Sequence, residues 1–471
     1  MENRADKKNL LYLTVISVAV AIGGFLFGFD TAVISGTIGF VKEKFILGSI
    51  AEGYLVSSAL IGCIAGVLGA GILSDRFGPK KILFLSALLF AASGIMTALP
   101  QSYQLLITGR FIGGLGIGIA SMLSPLFISE FSPAEYRGRM VTLYQLAITI
   151  GILAAYFSNA FLLDISVSAK PEASGGSLLH YLFVDEVWRG MFATLLFPAL
   201  LFLILLFFVP ESPRWLIKRG EEKRAFNILK KLAGENYASA QSGEIKESLQ
   251  LEEGSLKQLF KPGMRKALLI GILLPFFSQI SGINVIIYYG PKIFQEAGFA
   301  IGDAFGSQVT IGVINVLFTL VAIWKIDSYG RRPLLLLGVG GVTVSLIVIG
   351  IYFFLGISGS SILLLYFLLF IACFAFSFGP VCWVIISEIF PTKIRGRAMS
   401  IATFSLWITN AVIGQLFPWL LENINAYGTF WFFAATSIIG FIFIYKMIPE
   451  TKNKSLEEIE KFWLEKNNYN G

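Results

Sequence analysis

The chain has 471 residues, of which 55% are hydrophobic and only 14% charged, with a mean hydropathy of +0.74. This composition excludes an ordinary soluble globular protein and points to a membrane protein rich in apolar spans. The net charge of +7 falls in short loops between apolar segments, so it reads as a topology signal and not as a nucleic-acid surface.

A spanning helix needs about 20 apolar residues. Twelve segments qualify: 10–39, 51–73, 82–99, 103–129, 140–163, 190–209, 267–290, 305–326, 334–356, 361–387, 398–420 and 429–448. The first nine residues are polar and basic. The apolar run behind them is too long for a signal-peptide core and lacks a small-residue cleavage pattern, so span one is expected to be retained. With a cytoplasmic N-terminus, the cytoplasmic pieces carry 29 of the 37 Lys and Arg residues, and the opposite side carries five: Lys42, Lys44, Lys170, Arg189 and Lys292. Both termini are therefore expected in the cytoplasm, and the chain in the plasma or inner membrane.

The expected organisation is a six-helix bundle over 1–209, a cytoplasmic linker over 210–266, a second six-helix bundle over 267–448 and a cytoplasmic tail over 449–471. Within the linker, "GEEKRAFNILKKLAG" (220–234) places Ala225, Ile228, Leu229 and Leu232 at helical spacing. That pattern predicts a short amphipathic helix on the cytoplasmic face. Cys63, Cys373 and Cys382 lie in apolar stretches and the lone His180 in a polar loop. No disulfide framework, metal site or cofactor is expected from them. "GGLGIG" (113–118) fits a dinucleotide fingerprint by letter, but it lies inside a span and fits close helix packing instead. No nucleophile–base–acid constellation and no nucleotide-binding loop point to an enzyme.

The two halves repeat. "GILSDRFGPKK" (71–81) recurs loosely as "WKIDSYGRRP" (324–333), and "SEFSPAEYRGRM" (129–140) more closely as "SEIFPTKIRGRAM" (387–399). Glu130, Arg137, Gly138 and Arg139 match Glu388, Arg395, Gly396 and Arg397 at a constant offset of 258. "PESPR" (210–214) is echoed by "PETK" (449–452). Duplicated six-helix halves are a common transporter construction, with the substrate site between them.

These motifs, with "QISGINVIIYYGPKIF" (279–294) and "GPVCWVIISEIFPTKIRGRAMS" (379–400), resemble the sugar porter family of the major facilitator superfamily. The resemblance covers essentially the whole chain and is greatest to bacterial proton-coupled sugar transporters of the xylose-permease type. It implies an all-α membrane fold of two pseudo-symmetric six-helix bundles around a central cavity that opens to alternate sides.

Asp30 and Arg110 are the clearest charges inside predicted spans. Counting from the nearer ends of spans one and four at 1.5 Å per residue gives depths of roughly 13 and 11 Å. An acid and a base at matched depth can pair, which lowers the cost of both. The pair is either structural or a proton site. Burial favours the neutral acid and Arg110 favours the carboxylate, so a carboxyl held between them can change protonation during a cycle. Proton-coupled members resemble this chain in having aspartate at this point. Some also carry an acidic residue in helix six, whereas the matching "MFATLLFPAL" (191–200) has none.

A sugar pocket needs amides that both donate and accept and rings that cover C–H faces. The polar candidates in apolar spans are Gln145, Gln279, Asn284, Asn315 and Asn410. The aromatic candidates are Trp383, Trp407 and Phe27, the last one turn from Asp30 on the same helix face. By resemblance, Gln145, Gln279, Asn284 and Trp383 match sugar-contacting positions, Asn315 matches one in some members, and Tyr288 and Tyr289 match an outer gate. Gly282 and Gly290–Pro291 are expected break points in helix seven. Ser278 stands where the family usually has the first glutamine of a Gln–Gln pair, and Leu406 where the nearest xylose-type members have glutamine. Asp75, Arg76, Glu130, Arg137, Glu388 and Arg395 resemble the cytoplasmic gate of the family.

The expected function is proton-coupled symport of a monosaccharide, pentose or hexose, into the cell by alternating access. The alternatives are a facilitative sugar or cyclic-polyol uniporter with a structural Asp30–Arg110 pair and, more remotely, a membrane sugar sensor. The expected partners are the monosaccharide, protons and the lipid bilayer, with no nucleic acid. The chain is expected to act as a monomer.

Overall fold

The computed structural model describes residues 7–169, 177–250, 260, 264–357, 359, 361–390 and 395–452. Among these the protein is all helix. In chain order the helices are α1 (Lys7–Phe45), α2 (Ser49–Phe77), α3 (Pro79–Ala98), α4 (Tyr103–Phe131), α5 (Ala134–Ser168), α6 (Leu178–His180), α7 (Val187–Ala193), α8 (Leu196–Phe208), α9 (Pro213–Lys218), α10 (Glu222–Ala233), α11 (Glu235–Gln250), α12 (Met264–Ile280), α13 (Ile283–Glu296), α14 (Ile301–Tyr329), α15 (Arg331–Phe354), α16 (Ser361–Phe376), α17 (Phe378–Ile389) and α18 (Arg395–Met447).

Eleven stretches among the described residues are long and apolar enough to cross a membrane. The last of them, Ala398–Met447, holds two spans, because Asn425 leaves the helical region with φ 60° and ψ 172°. The twelve expected spans are therefore all present, in an integral membrane protein. Large apolar side chains stay exposed on the outside of the helices, among them Phe197, Phe207 and Phe208 on α8 and Leu337 on α15. Such a surface suits hydrocarbon, since the helices satisfy their own backbone groups.

Three spans are broken, each for a local reason. The sixth divides into α7 and α8 at Thr194–Leu195, four residues before Pro198, whose ring crowds the carbonyl one turn back. The seventh divides into α12 and α13 at Gly282, which adopts φ 87°. That left-handed conformation favours glycine. The tenth divides into α16 and α17 at Ser377, whose hydroxyl donates to the Cys373 carbonyl at 2.5 Å, with Pro380 just beyond.

The described chain separates into two compact units. One holds 1–33, 61–158 and 165–252, and the other 34–60, 159–164 and 253–471. In the first unit, close backbone approach explains the glycines of "GGLGIG". A Cβ at Gly118 would collide with the Cys63 carbonyl, and one at Gly62 with the Phe111 carbonyl, so α2 and α4 meet only because both lack side chains there. Helix α10 forms as its spacing predicts. Ala225, Leu229 and Leu232 are buried, and the apolar stripe packs against α9 and α11.

Arg189, 6% exposed, fastens the first unit near the end of α3. Its Nη1 donates to the carbonyls of Ala98 at 3.2 Å and Pro100 at 2.9 Å, and its Nε pairs with Glu186 at 2.5 Å. The guanidinium also lies 4.4 Å from the Trp188 ring centroid. Arg189→Ala leaves two carbonyls and a mostly buried carboxylate without their donor. The expected loss is about 2–4 kcal/mol, read as a lower unfolding temperature in detergent. A variant within about 0.5 kcal/mol of wild type contradicts this assignment.

Candidate functional site

Asp30 on α1 and Arg110 on α4 meet as their matched depths predict. Arg110 Nη1 forms an ion pair with Asp30 Oδ1 and lies 3.4 Å from the Asp30 carbonyl oxygen. The two side chains are 0% and 2% exposed. The guanidinium carbon also lies 5.9 Å from the ring centroid of Phe192. Phe192, on α7 in the sixth span, offers the arginine a π face. Asp30 Oδ2 and Arg110 Nε are buried with no hydrogen-bond partner among the described residues. The pair is thus held by one arm, and a charge held by one arm is easier to release than a bidentate one.

The amide and aromatic candidates divide between the two compact units. Gln145 and Phe27 belong to the first, and both are half-buried. The rest belong to the second. There, Gln279 is 7% exposed, accepts a hydrogen bond from Asn284 Nδ2, and lies 3.4 Å from Ser278 Oγ through its own Nε2. The break at Gly282 lets residues five apart face each other across the end of α12 and the start of α13. Asn410 on α18 donates to the Tyr288 hydroxyl at 3.0 Å. The Tyr289 hydroxyl donates to the Gly414 carbonyl at 2.9 Å, and its ring packs on Phe417 at 4.8 Å. Trp407 is buried, and Trp383 is half-buried against the apolar core of α12, α15, α17 and α18. Gln145 and Asn315 make no side-chain hydrogen bond to any described residue, which leaves their amides available to a polar ligand.

A carboxylate clasp recurs in both halves. Glu211, from "PESPR", accepts from the backbone N–H of Lys80 at 3.1 Å, at the start of α3. Its counterpart Glu450, from "PETK", accepts from the N–H groups of Arg331 and Arg332 at 3.1 Å, at the start of α15. Each helix follows a glycine of positive φ, Gly78 at 98° and Gly330 at 90°. The free N–H groups and dipole of a helix start favour such a carboxylate. The next residue binds the predicted gate acid. Ser212 donates to Glu130 and Thr451 to Glu388, both at 2.5 Å. Burial pushes the Glu211 carboxyl above its usual range, while the N–H groups of Ser212 and Lys80 draw it back. Glu388 also pairs with Arg331 at 3.0 Å. Asp75 pairs with Lys218 at 3.0 Å, and Arg76, exposed, accepts at its carbonyl from Arg219. The Arg137 and Arg395 side chains lie outside the described residues.

Two further features were not anticipated from the sequence. Glu52 on α2, 0% exposed, pairs with Lys292 on α13 and with Lys42 on α1 at 3.0 Å. Nearby, Ser57 donates to Gln415 at 2.6 Å. Gln308 on α14, 2% exposed, donates to the carbonyls of Ile286 at 3.0 Å and Ile287 at 3.4 Å. The Ile287 carbonyl lacks a helical donor because Pro291 has no N–H.

Paired charges buried inside apolar helices, with bonded amides at a break in the seventh span and a repeated sequence, define a membrane transporter built from two repeated halves. A model of the sugar (and other) transporter family matches residues 16–463, and the chain belongs to that family, whose members transport and are not enzymes. It is 44% identical over 454 residues to the arabinose-proton symporter of Bacillus subtilis (strain 168), covering 96% of this chain and 95% of that one. The D-xylose-proton symporter of Escherichia coli (strain K12) is 38% identical over 489 residues, with 97% and 96% covered. Among solved structures, the inward-open conformation of the xylose transporter of E. coli matches with a TM-score of 0.82 at 36% identity, over 96% of this chain and 100% of that one.

Proposed function

We propose that this protein carries a monosaccharide, a pentose or a hexose, into the cell together with a proton by alternating access. The observation that supports this most directly is the buried, one-armed Asp30–Arg110 pair. It gives the chain a carboxyl that a proton can neutralise, joined to a partner that neutralisation releases. The near relatives are symporters of arabinose and xylose, which places pentoses first among the sugars to test.

In this reading Asp30 and Arg110 form the proton site. Gln145, Gln279, Asn284, Asn315, Asn410, Ser278, Phe27, Trp383 and Trp407 bind the sugar. Tyr288 and Tyr289 close the outer gate, and their bonds to Asn410 and Gly414 support that role. Asp75, Arg76, Glu130, Arg137, Glu388 and Arg395 close the cytoplasmic side, with Glu211 and Glu450 holding the helix starts beside them. The protein works as a monomer in the cytoplasmic membrane, with both termini inside and six-helix bundles over 1–209 and 267–448. Uptake into proteoliposomes of labelled pentoses and hexoses, with and without a proton gradient, tests the proposal. Accumulation above equilibrium only with the gradient is expected; equal uptake in both conditions refutes coupling.

Gln279 carries the strongest sugar prediction. Its amide is already turned toward Asn284, so a sugar hydroxyl inserted between them finds a donor and an acceptor. Gln279→Ala is expected to weaken binding about tenfold, measured by calorimetry on the purified protein. Unchanged affinity removes Gln279 from the site.

A further inference from the structure

Arg110 bonds only one oxygen of Asp30. The other, Oδ2, is buried and has no hydrogen-bond partner among the described residues. A second buried oxygen in the same state is Ser93 Oγ on α3. The two meet at Gly113 on α4, one turn beyond Arg110. A Cβ at Gly113 would stand 2.5 Å from Ser93 Oγ and 2.7 Å from Asp30 Oδ2. The missing side chain therefore leaves a notch onto which these two oxygens, from α1 and α3, look most closely. Burying one unbonded oxygen is costly, and burying two that face the same notch is not something packing alone selects.

We propose that Ser93 is a positioning residue for the transported proton: Asp30 Oδ2 takes up the proton, and the Ser93 hydroxyl in the Gly113 notch holds it there. This deepens the reading of Asp30 as the proton site and rests on it. A hydroxyl both donates and accepts, and it turns about χ1 between staggered positions. When Asp30 is charged, Arg110 holds Oδ1 as it does here, and a turn of the Ser93 hydroxyl about χ1 lets it donate to Oδ2. When Oδ2 gains a proton, the new O–H donates to Ser93 Oγ, and Arg110 loses its ionic partner. The proton comes from a hydronium ion, whose O–H bond breaks to leave water as the Oδ2–H bond forms; release runs the same exchange in reverse, and no other covalent bond changes.

The other groups facing this carboxyl do not replace Ser93. Arg110 from α4 is a donor only. Cys63 from α2 is within electrostatic reach of both Asp30 and Arg110, and Tyr144 from α5 is within reach of Cys63. Phe192 from α7 lies by the guanidinium and has no group that can hold a proton. Ser93 and Asp30 are the pair whose oxygens share the notch.

The test compares Ser93→Ala, Ser93→Thr and Asp30→Asn in proteoliposomes, by gradient-driven uptake of labelled arabinose or xylose over a range of pH and by sugar exchange without a gradient. Ser93→Ala is expected to lower gradient-driven accumulation about tenfold and to move its pH midpoint by about one unit, with exchange within about twofold of wild type. Ser93→Thr, which keeps the hydroxyl, is expected to restore both. Wild-type accumulation and midpoint in Ser93→Ala overturn the proposal. So does an equal loss of accumulation and exchange with an unmoved midpoint, the mark of a packing role. Accumulation by Asp30→Asn refutes the proton site itself. Loss in Asp30→Asn beside wild-type behaviour in Ser93→Ala refutes only the role of Ser93.

Discussion

Asp30→Asn is expected to abolish accumulation of sugar against its gradient while leaving exchange. The size of the effect follows from the energy a proton brings. One charge crossing 100 mV supplies about 2.3 kcal/mol, which sustains a concentration ratio of roughly fiftyfold. An asparagine cannot gain or lose a proton in the working range, so the ratio falls to about one. The helix geometry should survive. Asn keeps an oxygen where Oδ1 now meets Arg110, and the Asp30 backbone carbonyl and the Phe192 ring stay near the guanidinium. Exchange needs only the sugar site and the rocking of the halves, so it continues. Accumulation by the variant equal to wild type would show that the carboxyl is structural.

Arg110→Met acts on the other partner and is expected to cost far more stability. Methionine fills much of the space but leaves the Asp30 carboxyl, 0% exposed, with no counter-charge. Breaking a buried pair from one side typically costs about 3–5 kcal/mol. The double variant Asp30→Asn with Arg110→Met removes both charges and is expected to regain most of that loss without regaining coupling. Thermal unfolding in detergent reads both changes. If Arg110→Met unfolds at the wild-type temperature, the pair is not what keeps Asp30 tolerable inside the membrane.

The spans were legible because apolar length alone separates a membrane helix from its loops. The Asp30–Arg110 pair was legible because depth can be counted along two helices from a shared surface. Gly282 was legible as a break, and the structure shows the positive φ behind it. Ser93 was not legible. A serine in an apolar span has no distinguishing pattern, and the role proposed for it comes from the notch at Gly113 that it shares with Asp30. The "PESPR" and "PETK" echo was visible as letters, but the role of Glu211 and Glu450 depends on the chain returning to the starts of α3 and α15. Lys218 as the partner of Asp75, and Lys292 as the partner of Glu52, likewise depend on packing that spacing does not encode.

The Gln308 contact has a mechanical consequence for helix seven. Pro291 deprives Ile287 of its donor within the helix, and α14 supplies one from outside through Gln308. A flexing motion at this point therefore stretches a side-chain bond to a neighbouring helix and leaves the remaining ladder of α13 intact. The stiffness of that joint is set by a residue on α14, remote in sequence from the side chains of α12 and α13 proposed to bind sugar. Evolution can thus alter how readily α13 flexes without touching what it binds.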